Sequence, residues 1–239
     1  MIDIHCHIMP GVDDGSKNLE ESLAIFENAA TSGITDIILT PHYIKGTRYQ
    51  YDNENKEKLA EILREALRRA ELDINVYIGN EIYIDESVPK LLDEHKIATL
   101  AGSRYILIEL PVNSEFHSAP ELIFKLISSD FIPVIAHPER YIYFQKHPEK
   151  VDRYIELGCL MQGNYMSLLG KYGKKAKSTL KYLLQERKID LLASDIHHSY
   201  HEYRLPEAEK KVLRIVRDKD LVQKLFIENP EKIIKNQEI

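Results

Sequence analysis

"NLEESLAIFENAATSGITDIILTPH", residues 18–42, reads in one pass as a capped helix, a break, a strand and a polar strand end. Asn18 is placed to cap the helix, with Glu21 three residues on. Leu19, Leu23, Phe26 and Ala30 recur on one helical face, which predicts an amphipathic helix ending near Gly33. The apolar, β-branched "ITDIILT" then predicts a strand whose end delivers His42 behind Pro41.

The same order repeats along the chain. Strand candidates are "IDIHCH", "ITDIILT", "INVYIG", "RYILIEL", "FIPVIA", "GCLMQGN" and "IDLLAS". Between them, helices are predicted over 53–71, 88–94, 120–129, 147–157, 174–187 and from 206 onward. The second carries Leu59, Ile62, Leu63, Ala66, Leu67 and Ala70 as its apolar stripe. Strand and helix alternating over the full length imply a parallel sheet, and seven units suit an irregular closed barrel better than an open sheet. The expectation is an α/β protein, a single-domain distorted (β/α)7 barrel spanning residues 1–239. No Pro/Gly/Ser-rich linker, repeat or low-complexity segment divides it.

Composition narrows the class. With 239 residues and 44% hydrophobic content the chain can bury a large core. Its formal charge of −6 does not favour nucleic acid or an anionic membrane. Cys6 and Cys159 are the only cysteines and form no CxxC pair, which fits a reducing cytoplasm. The apolar runs fall short of a membrane span or signal peptide, so a cytoplasmic protein is expected.

In parallel β/α folds, active sites gather at the carboxyl ends of the strands. Here strand one ends in His5 and His7, two in His42, three in Glu81, four in Glu109, five in His137, and seven in Asp195 and His197. Each alone has an ordinary reading: a hydrogen-bonded histidine, a turn, a salt-bridge partner. Six of seven ends sharing this chemistry point instead to a polynuclear metal site. Imidazole with carboxylate and without thiolate suits Mn²⁺, Fe²⁺ or Zn²⁺. His5 and His7 share a strand face by period two, which turns Cys6 into packing.

"DIHCHIMPGVDDG", "TPHY", "GNEIY", "IAHPERY" and "SDIHH", in this order over residues 3–198, resemble the polymerase-and-histidinol-phosphatase (PHP) superfamily. "HIMPGVDDGS" and "HPERY" resemble more closely its bacterial protein-tyrosine phosphatases associated with capsular or exopolysaccharide synthesis. The resemblance implies three divalent ions, manganese first, with iron(II) or zinc as alternatives. His5, His7 and Asp195 would hold one ion, Glu81 would bridge to a second on Glu109 and His137, and Asp14, His42 and His197 would hold the third. It favours Asp14, while the residues themselves leave Asp13 equally placed. Four carboxylates against three divalent ions leave an excess of two positive charges, matching a phosphomonoester dianion.

The implied reaction is in-line attack by a metal-bridged hydroxide on phosphotyrosine, with Arg140 and Arg204 on the phosphoryl oxygens. The implied substrate is a phosphotyrosine protein, the tyrosine-rich tail of an autokinase that controls polysaccharide export. Phenolate, with a pKa of about 10, leaves with little proton assistance. Tyr43, Tyr49 and Tyr51 follow His42 and are candidates to wall the pocket.

Neither cysteine is followed six residues later by arginine, which excludes the thiol-dependent tyrosine phosphatases, and no GxxxxGK[ST] loop is present. The rivals are a small-molecule phosphatase of the histidinol-phosphate kind, a phosphodiesterase, and a non-catalytic docking partner of a kinase.

Overall fold

All seven apolar runs form strands, and every pairing between them is parallel. The computed structural model describes residues 1–239. The first run is β1 (Ile2–Cys6). The second splits into β2 (Asp36–Leu39) and β3 (His42–Tyr43), and the third into β4 (Asn75–Ile78) and β5 (Glu81–Tyr83). The others are β6 (Tyr105–Glu109), β7 (Ile132–Ala136), β8 (Leu160–Asn164) and β9 (Leu191–Ala193).

Two sheets result, β1-β2-β4 and β3-β5-β6-β7-β8-β9. They share the second and third runs. They meet again where Cys6 bridges Ile196 in parallel, with Asp195 N–H donating to His5 O at 2.9 Å and His7 N–H to Ile196 O at 2.8 Å. Neighbouring runs therefore pair in sequence order and the first lies beside the end of the seventh, a parallel α/β arrangement of seven units as expected.

Ile2, Ile4, Ile38, Leu107, Val134, Ala136, Leu191 and Ala193 form one apolar cluster inside this ring. Cys6 belongs instead to the larger cluster shared with the helices. The change of side comes from a register shift between Asp3 and Cys6, where β1 spends one residue more than β2. Such a bulge re-aims the side chains that follow it. Beyond it His5 and His7 face the open end of the ring.

At the opposite end the helix Asn229–Ile234 adds Ile233 to the inner cluster, and Tyr105 OH donates to Gln237 O at 2.6 Å. No helix is long and apolar enough to cross a membrane.

The helices differ from expectation in phase more than in position. Asn18 caps Leu19–Thr31 through Glu21 N–H, but the buried face is Ser22, Ile25, Phe26 and Ala29, with Leu19, Leu23 and Ala30 at its edge. Ser22 is tolerated there because its hydroxyl donates to Ile8 O at 2.7 Å. In Asn53–Arg69 the buried line is Lys56, Ala60, Leu63 and Leu67, so Ile62, 51% exposed, and Ala70 fall outside it. The buried Lys56 amine, bonded to Asn80 Oδ1, draws this line toward itself. The helix expected over 147–157 is broken into a 3₁₀ turn, Pro148–Val151, and a short α-helix, Asp152–Glu156. Ile142–Lys146 and Tyr165–Leu169 are further short helices, too brief to show a period in sequence.

Candidate metal centre

Parallel strands send their carboxyl ends to one side, and the breaks in the second and third runs place His42 and Glu81 just beyond them. Asn80 braces both breaks. Its Nδ2 donates to Pro41 O at 2.9 Å, and its Oδ1 accepts from Lys56 Nζ and from Ala98 N–H.

Glu81 stands at the middle. Its Oε1 lies 2.7 Å from His137 Nε2, and its Oε2 lies 3.0 Å from His42 Nδ1, 3.2 Å from His7 Nε2 and 3.3 Å from His5 Nε2. Glu109 approaches His42 Nδ1 and His137 Nε2, each at 3.9 Å. Asp195 Oδ1 lies 3.4 Å from His7 Nε2, 3.4 Å from His197 Nδ1 and 3.6 Å from His5 Nε2. Asp14 Oδ1 lies 3.5 Å from His42 Nε2 and 3.8 Å from His197 Nε2. The nine residues read as candidate ligands are thus brought into one cluster.

Within it, three sets offer ligand atoms all within 4.8 Å of one another: His7, Asp14, His42 and His197; His5, His7 and Glu81; His42, Glu81 and Glu109. Glu81 Oε2, Asp195 Oδ1 and His42 Nδ1 are buried without a hydrogen-bond partner. A buried unsatisfied polar atom costs about 1–3 kcal/mol, and three converging on one spot fit a group of divalent cations.

The two aspartates of "VDDG" divide their roles. Asp13 Oδ2 lies 2.6 Å from His7 Nδ1 and accepts from His42 N–H at 3.0 Å, while its Oδ1 accepts from Gly15 N–H at 3.0 Å. It orients His7 from behind. Asp14 turns its half-exposed carboxylate toward His42 and His197. The loop can fold back this closely because a Cβ on Gly15 would lie 2.0 Å from His7 O.

Sequence reading found Arg140 but missed Gln162, Asn164 and Tyr172, which also hold this cluster. Gln162 Oε1 meets His5 Nδ1 at 2.7 Å. Asp195 Oδ2 accepts from Arg140 Nη1 at 2.7 Å, Asn164 Nδ2 at 2.9 Å and Tyr172 OH at 3.0 Å. A signal existed: Gln162 and Asn164 end the sixth run with the same period-two spacing as His5 and His7. His137 and Asp195 both take left-handed backbone, φ +32° and +52°, at a cost of about 1–3 kcal/mol each. These bonds help hold Asp195 there.

Burial works against every charge in the cluster, and opposite charges outweigh it for several groups. Glu81 and Asp195 are held well below the usual carboxylate range by their histidines. His7 is raised by Asp13, and His42 is raised to about 9 by Glu81. Asp13 is pulled down to about 2 by His7. Glu109, buried beside Glu81, is pushed up to about 7. His137 and His197 are lowered to about 4, by burial first and then by Arg140 and His7 respectively. Metal-free, the site therefore carries protons on some candidate ligands at neutral pH.

The two arginines separate. Arg140 reaches the cluster through Asp195 and rests over the Tyr172 ring, 4.5 Å from its centroid. Arg204 is not brought there. It precedes the helix Leu205–Val216 with φ +47°, and its guanidinium pairs with Glu207 three residues on. Seven residues from His197 set its reach, and this carboxylate sets its direction. Of the tyrosines, Tyr43 is buried in the core, and Tyr49 has its ring 5.9 Å from that of His42. Cys6 is packed away, its Sγ 3.5 Å from Ile38 O.

Comparison with known proteins gives concordant results. Residues 1–235 match the family described as capsular polysaccharide synthesis, CpsB/CapC. The chain is 32% identical over 243 residues to tyrosine-protein phosphatase YwqE of Bacillus subtilis (strain 168), covering 100% of this chain and 93% of that protein. It is 31% identical over 246 residues to tyrosine-protein phosphatase CpsB of Streptococcus agalactiae, covering 100% of both.

Among solved structures, one described as YwqE from Bacillus subtilis and CpsB from Streptococcus pneumoniae, unique metal-dependent tyrosine phosphatases, superimposes with a TM-score of 0.93 at 32% identity. It covers 100% of this chain and 96% of the other. Histidinol phosphate phosphatase from Lactococcus lactis, at 13% identity and a TM-score of 0.58 over 90% of this chain and 93% of its own, shares the fold. A match over nearly every residue, with the strand ends and the loops between them, places this chain in the CpsB/CapC family of capsular polysaccharide synthesis proteins.

Proposed function

We propose that this chain is a metal-dependent protein-tyrosine phosphatase, a phosphoric monoester hydrolase that acts on phosphotyrosine proteins in the cytoplasm. The observation that carries the reading is the convergence of three candidate ligand sets on Glu81 and its neighbours, in a chain similar along its whole length to proteins of that name. His5, His7 and Asp195 would hold one divalent ion, Glu109 and His137 a second, and Asp14, His42 and His197 a third, with Glu81 shared between the first two. Manganese is the first candidate, with iron(II) or zinc as alternatives. Such ions supply positive charge to phosphoryl oxygens and lower the pKa of bound water toward 7.

The chain's own residues do the rest. Arg140, fixed by Asp195 and Tyr172, keeps guanidinium N–H groups free for the phosphate. Asp195 is held in position by Asn164, Tyr172 and Arg140, which all donate to it, and His5 and His7 keep its carboxyl low against the effect of burial. Asp13 holds His7, and Gln162 holds His5, each at the ring nitrogen turned away from Glu81. The physiological substrate would be a tyrosine autokinase that regulates capsular or exopolysaccharide synthesis.

The test compares phosphotyrosine peptide, phosphoserine peptide, histidinol phosphate and a phosphodiester on purified protein with Mn²⁺. The phosphotyrosine peptide is expected to turn over fastest. Strong turnover of histidinol phosphate with none of phosphotyrosine would replace this reading by that of a small-molecule phosphatase.

Proton release offers a second check. In the metal-free protein Glu81 raises His42 to about 9, Asp13 raises His7, and burial beside Glu81 raises Glu109 to about 7. Bound metal requires neutral imidazole and ionised carboxylate, so Mn²⁺ binding should expel more than one proton at pH 7. Apparent affinity should accordingly rise from pH 6 to 9. Calorimetry in two buffers of different ionisation enthalpy reads this directly, and identical heats in both would contradict it.

A further inference from the structure

Beside the metal cluster runs a groove of about 430 Å³, lined by Lys171, Tyr200, His201, Glu202 and Arg204 among others. Lys171 joins the two. Its Nζ lies 3.4 Å from Asp195 O, and it forms no ion pair with a carboxylate. Some exposed lysines, such as Lys58 and Lys125, pair with a glutamate one helical turn away. Lys171 is half-buried, lies 5.1 Å from the centre of the Tyr172 ring and has no carboxylate partner.

A run of rings leads outward over the same ground. From His197 in the cluster, His198 follows at 6.2 Å between centroids. Tyr200 stacks on His198 at 5.0 Å, and His201 lies 4.4 Å from Tyr200. Tyr200 is 73% exposed, which is unusual for so large a ring on a folded surface. His201 Nδ1 is buried without a partner. Arg204 adds a second cation, shared with Glu207, and Glu202 is the one acidic lining residue. With Arg204 taken by Glu207, Lys171 is the one cation of the groove without a carboxylate partner.

We propose that this groove is a docking subsite for acidic residues flanking the phosphotyrosine of a protein substrate, an inference that rests on the phosphatase reading above. An extended peptide advances about 3.3 Å per residue, so a side chain one to three positions from the phosphotyrosine reaches Lys171 and Tyr200 from the cluster. A carboxylate there gives the half-buried ammonium the partner it lacks, and the exposed ring of Tyr200 covers the peptide backbone. The arginine that the family resemblance assigned to the phosphate would, in this arrangement, face the flanking segment instead.

The experiment measures kcat/KM of the Mn²⁺-loaded protein on two phosphotyrosine peptides that differ only in Glu versus Gln beside the phosphotyrosine. Wild type is expected to prefer the acidic peptide by about tenfold at low salt, with the preference shrinking at high salt as the charges are screened. In Lys171→Gln the ratio should fall below about twofold, and in Lys171→Arg it should be retained, with circular dichroism confirming that both variants fold. The absence of a preference in wild type overturns the subsite. So does a Lys171→Gln variant that slows both peptides equally, since that would mark Lys171 as a contact of the phosphate itself. Failure of wild type to hydrolyse either peptide removes the phosphatase reading, and is distinct from both.

Discussion

Glu81→Gln should lower kcat/KM for phosphotyrosine hydrolysis by at least about 10³-fold, or roughly 4 kcal/mol in transition-state stabilisation. Its two oxygens meet four imidazoles between 2.7 and 3.3 Å, more than any other side chain in the cluster. The amide keeps the shape and one acceptor, but it removes the charge that raises His42 to about 9 and raises His5 as well. It also turns an N–H₂ toward rings that need an acceptor or a metal. Metal content should fall with activity, because the position is shared between two proposed ions. A Glu81→Gln protein that folds, binds its full complement of metal and retains activity within tenfold of wild type would remove Glu81 from the centre of the mechanism.

Chelation should have the next largest effect. With EDTA, phosphotyrosine turnover should drop by at least about four orders of magnitude and return on adding Mn²⁺. Stability should fall too, and by an amount that depends on pH. In the metal-free protein the raised His7 and His42 contribute fully below the unfolded value of about 6.5, and that contribution is lost as pH rises, through about 9 for His42. Asp195 and Glu81 are depressed, so their contribution is present above about pH 4.5 and lost only in acid. Glu109, raised to about 7, lowers stability as pH rises from about 4.5 to about 7, where the unfolded carboxyl is ionised and the folded one still holds its proton.

Metal-free stability therefore declines from pH 6 to 9, while metal affinity climbs. Saturating metal at about a hundred times its dissociation constant should raise Tm by roughly 5–10 °C. With one metal concentration used throughout, scanning calorimetry at pH 6 and pH 8.5 should find the larger rise at the higher pH. Equal rises at both would mean that protons and metal do not compete in this cluster.

Much of this architecture was readable because strand identity rests on short apolar runs, and each polar strand end stood out against its run. Period two was enough to put His5 with His7. What sequence did not show depends on contacts made across the ring. Asn80 looks like a turn residue beside Gly79, yet it ties the second run to the third and to Lys56. A buried lysine on the helix Asn53–Arg69 is invisible to a hydrophobic pattern, and the expected stripe shares only Leu63 and Leu67 with the buried line. Asp13 and Asp14 are chemically identical neighbours, and only the path of the loop past Gly15 separates them. For Arg204, the distance along the chain said how far the side chain could reach and nothing about which carboxylate would take it.

The one extra residue in the first strand has a consequence for how this protein can change. Before it, Ile2 and Ile4 answer only to the packing of the inner cluster; after it, His5 and His7 answer only to chemistry. A strand without the interruption would put both demands on one set of alternating positions. Here they sit on separate phases, so the filling of the ring can be exchanged by volume while the ligands keep their aim. The packing of the ring and the aim of the ligands can thus vary separately within the six residues Ile2–His7.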